Sequence, residues 1–151
     1  MKAVLQRVSN AEVAVDGEVV GKIGTGFLVL LGVEKGDTEK EADAVASKIA
    51  GLRIFKDEEG KMNLNLSSVG GEILCISNFT LCADYSHGFR PSFFDAEAPD
   101  RADELYKYFM AKTEALGIHV EKGIFGADMK VSLLNDGPVT IIIDSERLKK
   151  K

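Results

Sequence analysis

A chain of 151 residues in which 45% of the side chains are hydrophobic has the length of one domain and enough apolar mass for a core. Its net charge of −5 excludes a protein that coats nucleic acid with a basic surface, so any RNA contact has to be local. Two cysteines, Cys75 and Cys82, stand outside any Cys-x-x-Cys pair and away from histidine at metal-ligand spacing, which argues against a disulfide framework or a zinc site.

Lys2, Arg7 and Glu12 interrupt the first fifteen residues, which leaves no apolar stretch of the kind a signal peptide needs. The longest apolar run, 27–31, is too short to span a bilayer. A soluble, cytoplasmic protein with no membrane partner is the expectation.

Residues 2–8 and 12–15 read as short strands, and Asp16-Gly17 between Val-rich segments is a hairpin signal, since both positions tolerate positive φ. The run 27–33 is apolar at consecutive positions, the pattern of a strand covered on both faces. The period then changes. Ala42, Val45, Ala46, Ile49 and Leu52 recur at helical spacing, with Thr38 and Glu41 placed as a capping box, which predicts a helix over 38–51. Residues 53–55 are strand-like, 57–60 form a polar turn, and 72–79 is the most β-like stretch of the middle.

Residues 84–98, with Gly88, Pro91 and three phenylalanines, are too irregular for an element and too apolar for a linker, which marks a functional loop. A second helix is predicted over 100–116, with Leu105, Tyr106, Phe109, Met110 and Leu116 on one face and Gly117 as its stop. Residues 119–125, 129–134 and 139–144 read as further strands, and 146–151 as a flexible basic tail ending in Lys149, Lys150 and Lys151. The sum is a single α/β domain over 1–151. Its strands outnumber its helices too heavily for a doubly wound sheet, so a curved mixed or barrel-like sheet with two main helices packed on it is expected.

No familiar catalytic set stands out. His87 lies in the irregular loop and His119 on a predicted strand, neither beside a recognisable partner for a Ser-His-Asp or Cys-His site. Cys75 sits inside an apolar strand pattern, the place of a buried thiol rather than a nucleophile. There is no Walker loop, dinucleotide fingerprint or His-Glu-x-x-His, and neither a metal nor a cofactor is expected.

Two stretches invite a functional reading. In Ser77-Asn78-Phe79-Thr80-Leu81 an apolar strand ends abruptly in small polar residues, and strand ends free backbone N–H groups for a ligand's carbonyl oxygen. The same residues equally suit a turn closed by local side-chain bonds. The second stretch, Asn135-Asp136-Gly137-Pro138-Val139-Thr140, reads as a hairpin turn between two strands. Because cis occurs at only about 5–6% of X–Pro bonds, the turn by itself predicts a trans peptide.

At these residues the chain resembles the D-aminoacyl-tRNA deacylases, whose hallmark motifs are Ser-Gln-Phe-Thr-Leu and Asn-x-Gly-Pro-Val-Thr. The likeness extends through Gln6-Arg7-Val8, Leu30-Leu31-Gly32-Val33, Arg53-Ile54-Phe55, Lys61-Met62-Asn63-Leu64-Asn65, Arg90-Pro91-Ser92-Phe93 and Ala127-Asp128-Met129, and so covers nearly the whole chain. The resemblance implies a cofactor-free homodimeric hydrolase that cuts the ester of D-aminoacyl-tRNA, and of glycyl-tRNA mischarged on tRNA(Ala).

It further implies that Gly137 and Pro138 form a cis peptide reaching into the partner subunit's site, where backbone carbonyls exclude an L side chain. Ser77, Asn78, Phe79 and Thr80 would hold the aminoacyl group and terminal adenosine, and Arg7 would buttress the Gly137–Pro138 loop. Thr80 and Ser77 are the catalytic candidates. The family's chemistry leans on the tRNA's own 2′-hydroxyl, and Thr80 has no adjacent base, so a positioning role is favoured for it. Asn78 departs from the family's usual Gln, which displaces any contact made by the side-chain amide.

Two rival readings stand beside this one. A different hydrolase would use Thr80 or Cys82 as nucleophile, and a non-catalytic RNA-binding or replication-associated protein would share the fold without the chemistry. The acidic balance weighs against the second.

Overall fold

In the computed structural model, which describes residues 1–149, the first two expected strands are one, β1 (Lys2–Val15). A hairpin at Asp16 (φ 50°) and Gly17 (φ 80°) leads into β2 (Glu18–Ile23), and β3 (Gly26–Gly32) follows. Helix α1 (Glu39–Gly51) begins at Thr38, whose hydroxyl accepts from the Lys40 N–H while the Glu41 carboxylate accepts from the Thr38 N–H at 2.8 Å, the anticipated reciprocal cap.

A small hairpin, β4 (Phe55–Lys56) and β5 (Met62–Leu64), precedes β6 (Glu72–Ser77). A 3-10 turn at Phe79–Cys82 ends that segment. Then come α2 (Pro99–Ala115), β7 (Val120–Lys122), β8 (Lys130–Asp144) and a short α3 (Ser145–Leu148).

The sheet runs β2-β1-β3-β6-β7, with β8 on β1. Strand β1 is antiparallel to β2, β3 and β8, whereas β3–β6 and β6–β7 are parallel, so the sheet is mixed. It nearly closes: a Cβ on Gly21 of β2 would stand 2.5 Å from the Lys122 carbonyl of β7, an approach only glycine permits. Alternation along β3 then explains its continuous apolar run. Phe27, Val29 and Leu31 join the core beneath α1 and α2, while Leu28 points into the barrel with Val8, Val13, Leu74 and Ile76.

Three expectations are corrected. The stretch 135–140 does not reverse the chain: Gln6 pairs with Thr140 and Val8 with Asn135, so residues 136–139 bulge from one continuous strand opposite Arg7. Leu116 lies past the end of α2, 43% exposed, and Thr113 takes the buried place on that face.

The flexible tail is, over 145–148, a third helix, because the Asp144 carboxylate caps the Glu146 N–H and Lys149 pairs with Glu41 at 2.9 Å and Glu146 at 2.8 Å. Lys150 and Lys151 lie outside the described residues. Among those residues no helix is long and apolar enough to cross a membrane.

Candidate functional site

Where β6 runs out, a cavity of about 990 Å³ opens, in the upper range of small-molecule sites. Leu30, Ile76 and Val131 come to it from the sheet, Ser77, Asn78, Phe79 and Thr80 form one wall, Phe93 and Phe94 another, and 125–129 a third. The β6 end is firmly held. The Asn78 N–H donates to the Leu31 carbonyl at 2.8 Å, and the buried Tyr106 hydroxyl donates to the Cys75 carbonyl at 2.9 Å.

The turn that follows satisfies some of its donors and not others. Leu81 N–H reaches the Asn78 carbonyl at 3.4 Å and Ala83 N–H the Thr80 carbonyl at 3.2 Å. The N–H groups of Phe79 and Thr80 find no acceptor among the described residues, as expected of the leading donors of a helical turn. Both side chains are exposed at the cavity. The Thr80 hydroxyl donates to the Asn78 side-chain oxygen, so the local bonding that the sequence left as an alternative coexists with main-chain donors free to face a ligand.

Neither histidine and neither cysteine lines the cavity. His119 Nε2 lies 2.8 Å from Glu121 and His87 Nδ1 lies 2.7 Å from Ser86 Oγ. Cys82 is buried, its thiol directed at the Val33 carbonyl at 3.6 Å; burial, reinforced by the Glu34 charge, pushes it up to about 11. Cys82 thus faces the Val33 carbonyl and does not line the cavity, which weighs against it as the nucleophile of the rival hydrolase reading. Burial also pushes up the Cys75 thiol. Lys35, Glu97 and Asp128 are the charged residues lining the cavity. Among the described residues no group of three or more His, Cys, Asp or Glu side chains is placed to hold a metal ion.

Arg7, Gly137 and Pro138 form a second cluster, which does not line the cavity of the same chain. Arg7 is 3% exposed; its Nη1 donates to the Ile54 carbonyl at 2.6 Å and its Nε to the Asp136 carbonyl at 2.8 Å. Asn135 Nδ2 donates to the carbonyls of Arg7 at 2.9 Å and Val139 at 3.1 Å, closing the clasp around the bulge. Gly137 has no room for a side chain, since a Cβ would fall 1.9 Å from the Val139 nitrogen. The Gly137–Pro138 peptide is cis, contrary to the expectation from turn statistics. Gly137 and Pro138 are themselves exposed.

Sequence reasoning did not single out Lys35, Phe94, Glu97 or Phe125 as lining residues. Phe94 and Glu97 carried a signal only as members of the irregular loop 84–98, which belongs to no element.

The cavity at the end of this nearly closed mixed sheet thus sets the N–H groups of Phe79 and Thr80 at one wall, with Lys35, Glu97 and Asp128 as its charged lining. The model of the D-Tyr-tRNA(Tyr) deacylase family matches residues 4–144, and the chain belongs to that family. It is 58% identical over 151 residues to the D-aminoacyl-tRNA deacylase of Geotalea uraniireducens (strain Rf4), covering all of this chain and 97% of that one. It is 55% identical to the deacylase of Desulfitobacterium hafniense (strain Y51), covering 97% and 99%.

Among solved structures, one named c-Myc DNA Unwinding Element Binding Protein superposes with a TM-score of 0.90 at 40% identity, covering 95% of this chain and 98% of that one. A probable eukaryotic D-amino acid tRNA deacylase shares the fold at a TM-score of 0.80 and 17% identity, covering 94% and 97%. The family is one of hydrolases.

Proposed function

We propose that this protein hydrolyses the ester joining a D-amino acid to the 3′ end of tRNA, with the aminoacyl-adenosine seated in the cavity at the end of β6. The observation that carries this reading is the pair of N–H groups, of Phe79 and Thr80, that have no acceptor among the described residues and stand at the cavity wall. They suit a carbonyl oxygen that gains negative charge as the ester is attacked. Ser77 and Asn78 shape the wall, Phe79 borders the adenosine, and Thr80 positions rather than attacks, since its proton is committed to an amide oxygen with no base beyond it. The attacking water is oriented by the substrate's own 2′-hydroxyl, and no metal or other cofactor takes part.

Chiral selection in this reading belongs to Gly137 and Pro138 acting across a homodimer in the cytoplasm. Support comes from the separation of the two motif clusters within one chain and from β8, which pairs with β1 along one edge and, among the described residues, with no strand along the other. Leu134 and Ile142 on β8 are 57% and 68% exposed, a face suited to a second copy. The loop rejects L side chains by excluding them, which separates enantiomers more sharply than weak contacts to a D side chain could. Glycine carries nothing to exclude, so glycyl-tRNA(Ala) is hydrolysed too.

The deciding experiment is hydrolysis of matched D- and L-tyrosyl-tRNA in excess EDTA, with a Gly137→Ala, Pro138→Ala double variant alongside. Selective loss of the D ester with metal removed, and weakened selection in the variant, are expected. Failure to turn over either ester would give first place to a binding protein without chemistry. The name of the 40% identical solved structure is the observation favouring that second reading.

A further inference from the structure

The cavity wall continues into a segment that the ester chemistry does not use. Residues 84–98 leave the 3-10 turn, run outward and return to α2. The neck is pinned twice: Asp84 and Ser92 exchange N–H to carbonyl bonds at 2.8 Å, and the base is held by Lys35 N–H on the Asp95 carbonyl at 2.9 Å and Glu97 N–H on the Val33 carbonyl at 3.0 Å. Within the tip, Ser86 N–H donates to the Asp84 carboxylate at 2.9 Å. The strap is therefore built, not slack.

What it presents is aromatic. The chain has eight Phe and three Tyr, and five of these eleven fall between residues 79 and 94. Phe89 is fully exposed, Tyr85 80% and Phe94 76% exposed. At the cavity end Phe79 and Phe93 meet edge to face at 5.1 Å, and the Lys35 ammonium lies 3.4 Å above the Phe94 ring. Arg90, also exposed, sits between Phe89 and Pro91. Exposed rings joined to isolated cations, in a chain whose net charge is −5, suit a strand of nucleotides better than a duplex: every base has a face to stack, and few phosphates need neutralising.

We propose that Tyr85, Phe89 and Phe94, with Lys35 and Arg90, form a stacking platform for the unpaired nucleotides that precede the terminal adenosine of the RNA substrate. The proposal rests on the cavity being the seat of a 3′-terminal ester. Phe93 and Phe94 line the cavity and belong to the strap, so an RNA whose last residue lies at Phe79 and Thr80 meets the base of the strap as it leaves the cavity. The acidic balance of the chain then ceases to count against RNA, because recognition is confined to a few bases.

The test uses a 5′-fluorescein RNA tetranucleotide of sequence ACCA, read by anisotropy, beside turnover of D-tyrosyl-adenosine and D-tyrosyl-tRNA. A Tyr85→Ser, Phe89→Ser double variant should bind the tetranucleotide roughly tenfold or more weakly. It should lose similarly in kcat/KM on D-tyrosyl-tRNA and keep wild-type turnover of D-tyrosyl-adenosine, while Phe89→Trp retains all three. Thermal melting checks that the variant is folded.

Equal binding by wild type and double variant overturns the platform. So does a double variant that sediments as a monomer where the wild type is a dimer, which would assign the surface to a second copy. Phe89-dependent binding of the tetranucleotide without turnover of any ester would sustain the platform while removing the deacylase reading.

Discussion

Thr80 holds the hydroxyl that chemical habit would first make the nucleophile, yet its proton goes to the Asn78 side-chain oxygen and not to a histidine or a carboxylate. Thr80→Ala should therefore bind substrate and retain turnover to within about fivefold, the worth of one lost hydrogen bond of ~1 kcal/mol. Complete loss of single-turnover hydrolysis with binding intact would make it a nucleophile after all.

Asn78→Gln lengthens the arm to Thr80 by one methylene but leaves the Asn78 N–H on Leu31, so turnover should move by no more than about threefold, as for a change outside a packed core. Both residues were legible in the sequence because an apolar strand breaks off there. That Phe79 and Thr80 keep free N–H groups was not, since it depends on which carbonyls the turn already uses. Nor was the burial of Cys82, two residues beyond an exposed hydroxyl, which follows from the turn tucking it against Val33.

At the scale of elements, the helices could be read from their period and caps, as Thr38 and Glu41 show. Glu41 is 6% exposed, and the Thr38 hydroxyl first, then Lys149, hold its carboxyl down to about 2 against the opposing effect of burial. A folded value below the ordinary 4.5 means that its contribution is complete above about pH 4.5 and is lost as pH falls through about 2. Urea unfolding from pH 5 to pH 2 should show this acid-labile stability in the wild type and a flatter profile in Glu41→Gln. Identical slopes would put the effect on another carboxyl.

Strands were harder. The chemistry of Asn135 to Thr140 is that of a hairpin, and only the pairing of β8 with β1 on both sides of it turns it into a bulge. Strands of two or three residues such as β4 and β5 carry too little pattern to read.

The molecule as a whole has two apolar clusters sharing one sheet, the larger beneath the helices and the smaller inside the barrel. Leu134 and Ile142 belong to neither, and in the proposed dimer they are covered. Leu134→Glu with Ile142→Glu should shift the protein to monomer in sedimentation and abolish discrimination between D and L esters. A wild-type protein that is monomeric at micromolar concentration would sink the cross-subunit account.

The pairing of β1 with β8 also has a consequence for how the chain reaches its fold. Lys2 opposes Asp144 and Ala14 opposes Lys130, so contacts are closed over separations of more than a hundred residues, a topology that folds slowly because loop entropy is lost before the contacts reward it. During synthesis β1 can already hold β2 and β3, and residues 77–80 are made before β8, which supplies Val131 to the cavity. Until then one edge of β1 stays open to other strands, and Arg7 has no bulge to clasp. The segment assigned to choosing between enantiomers is thus made after residues 77–80, the wall assigned to the ester.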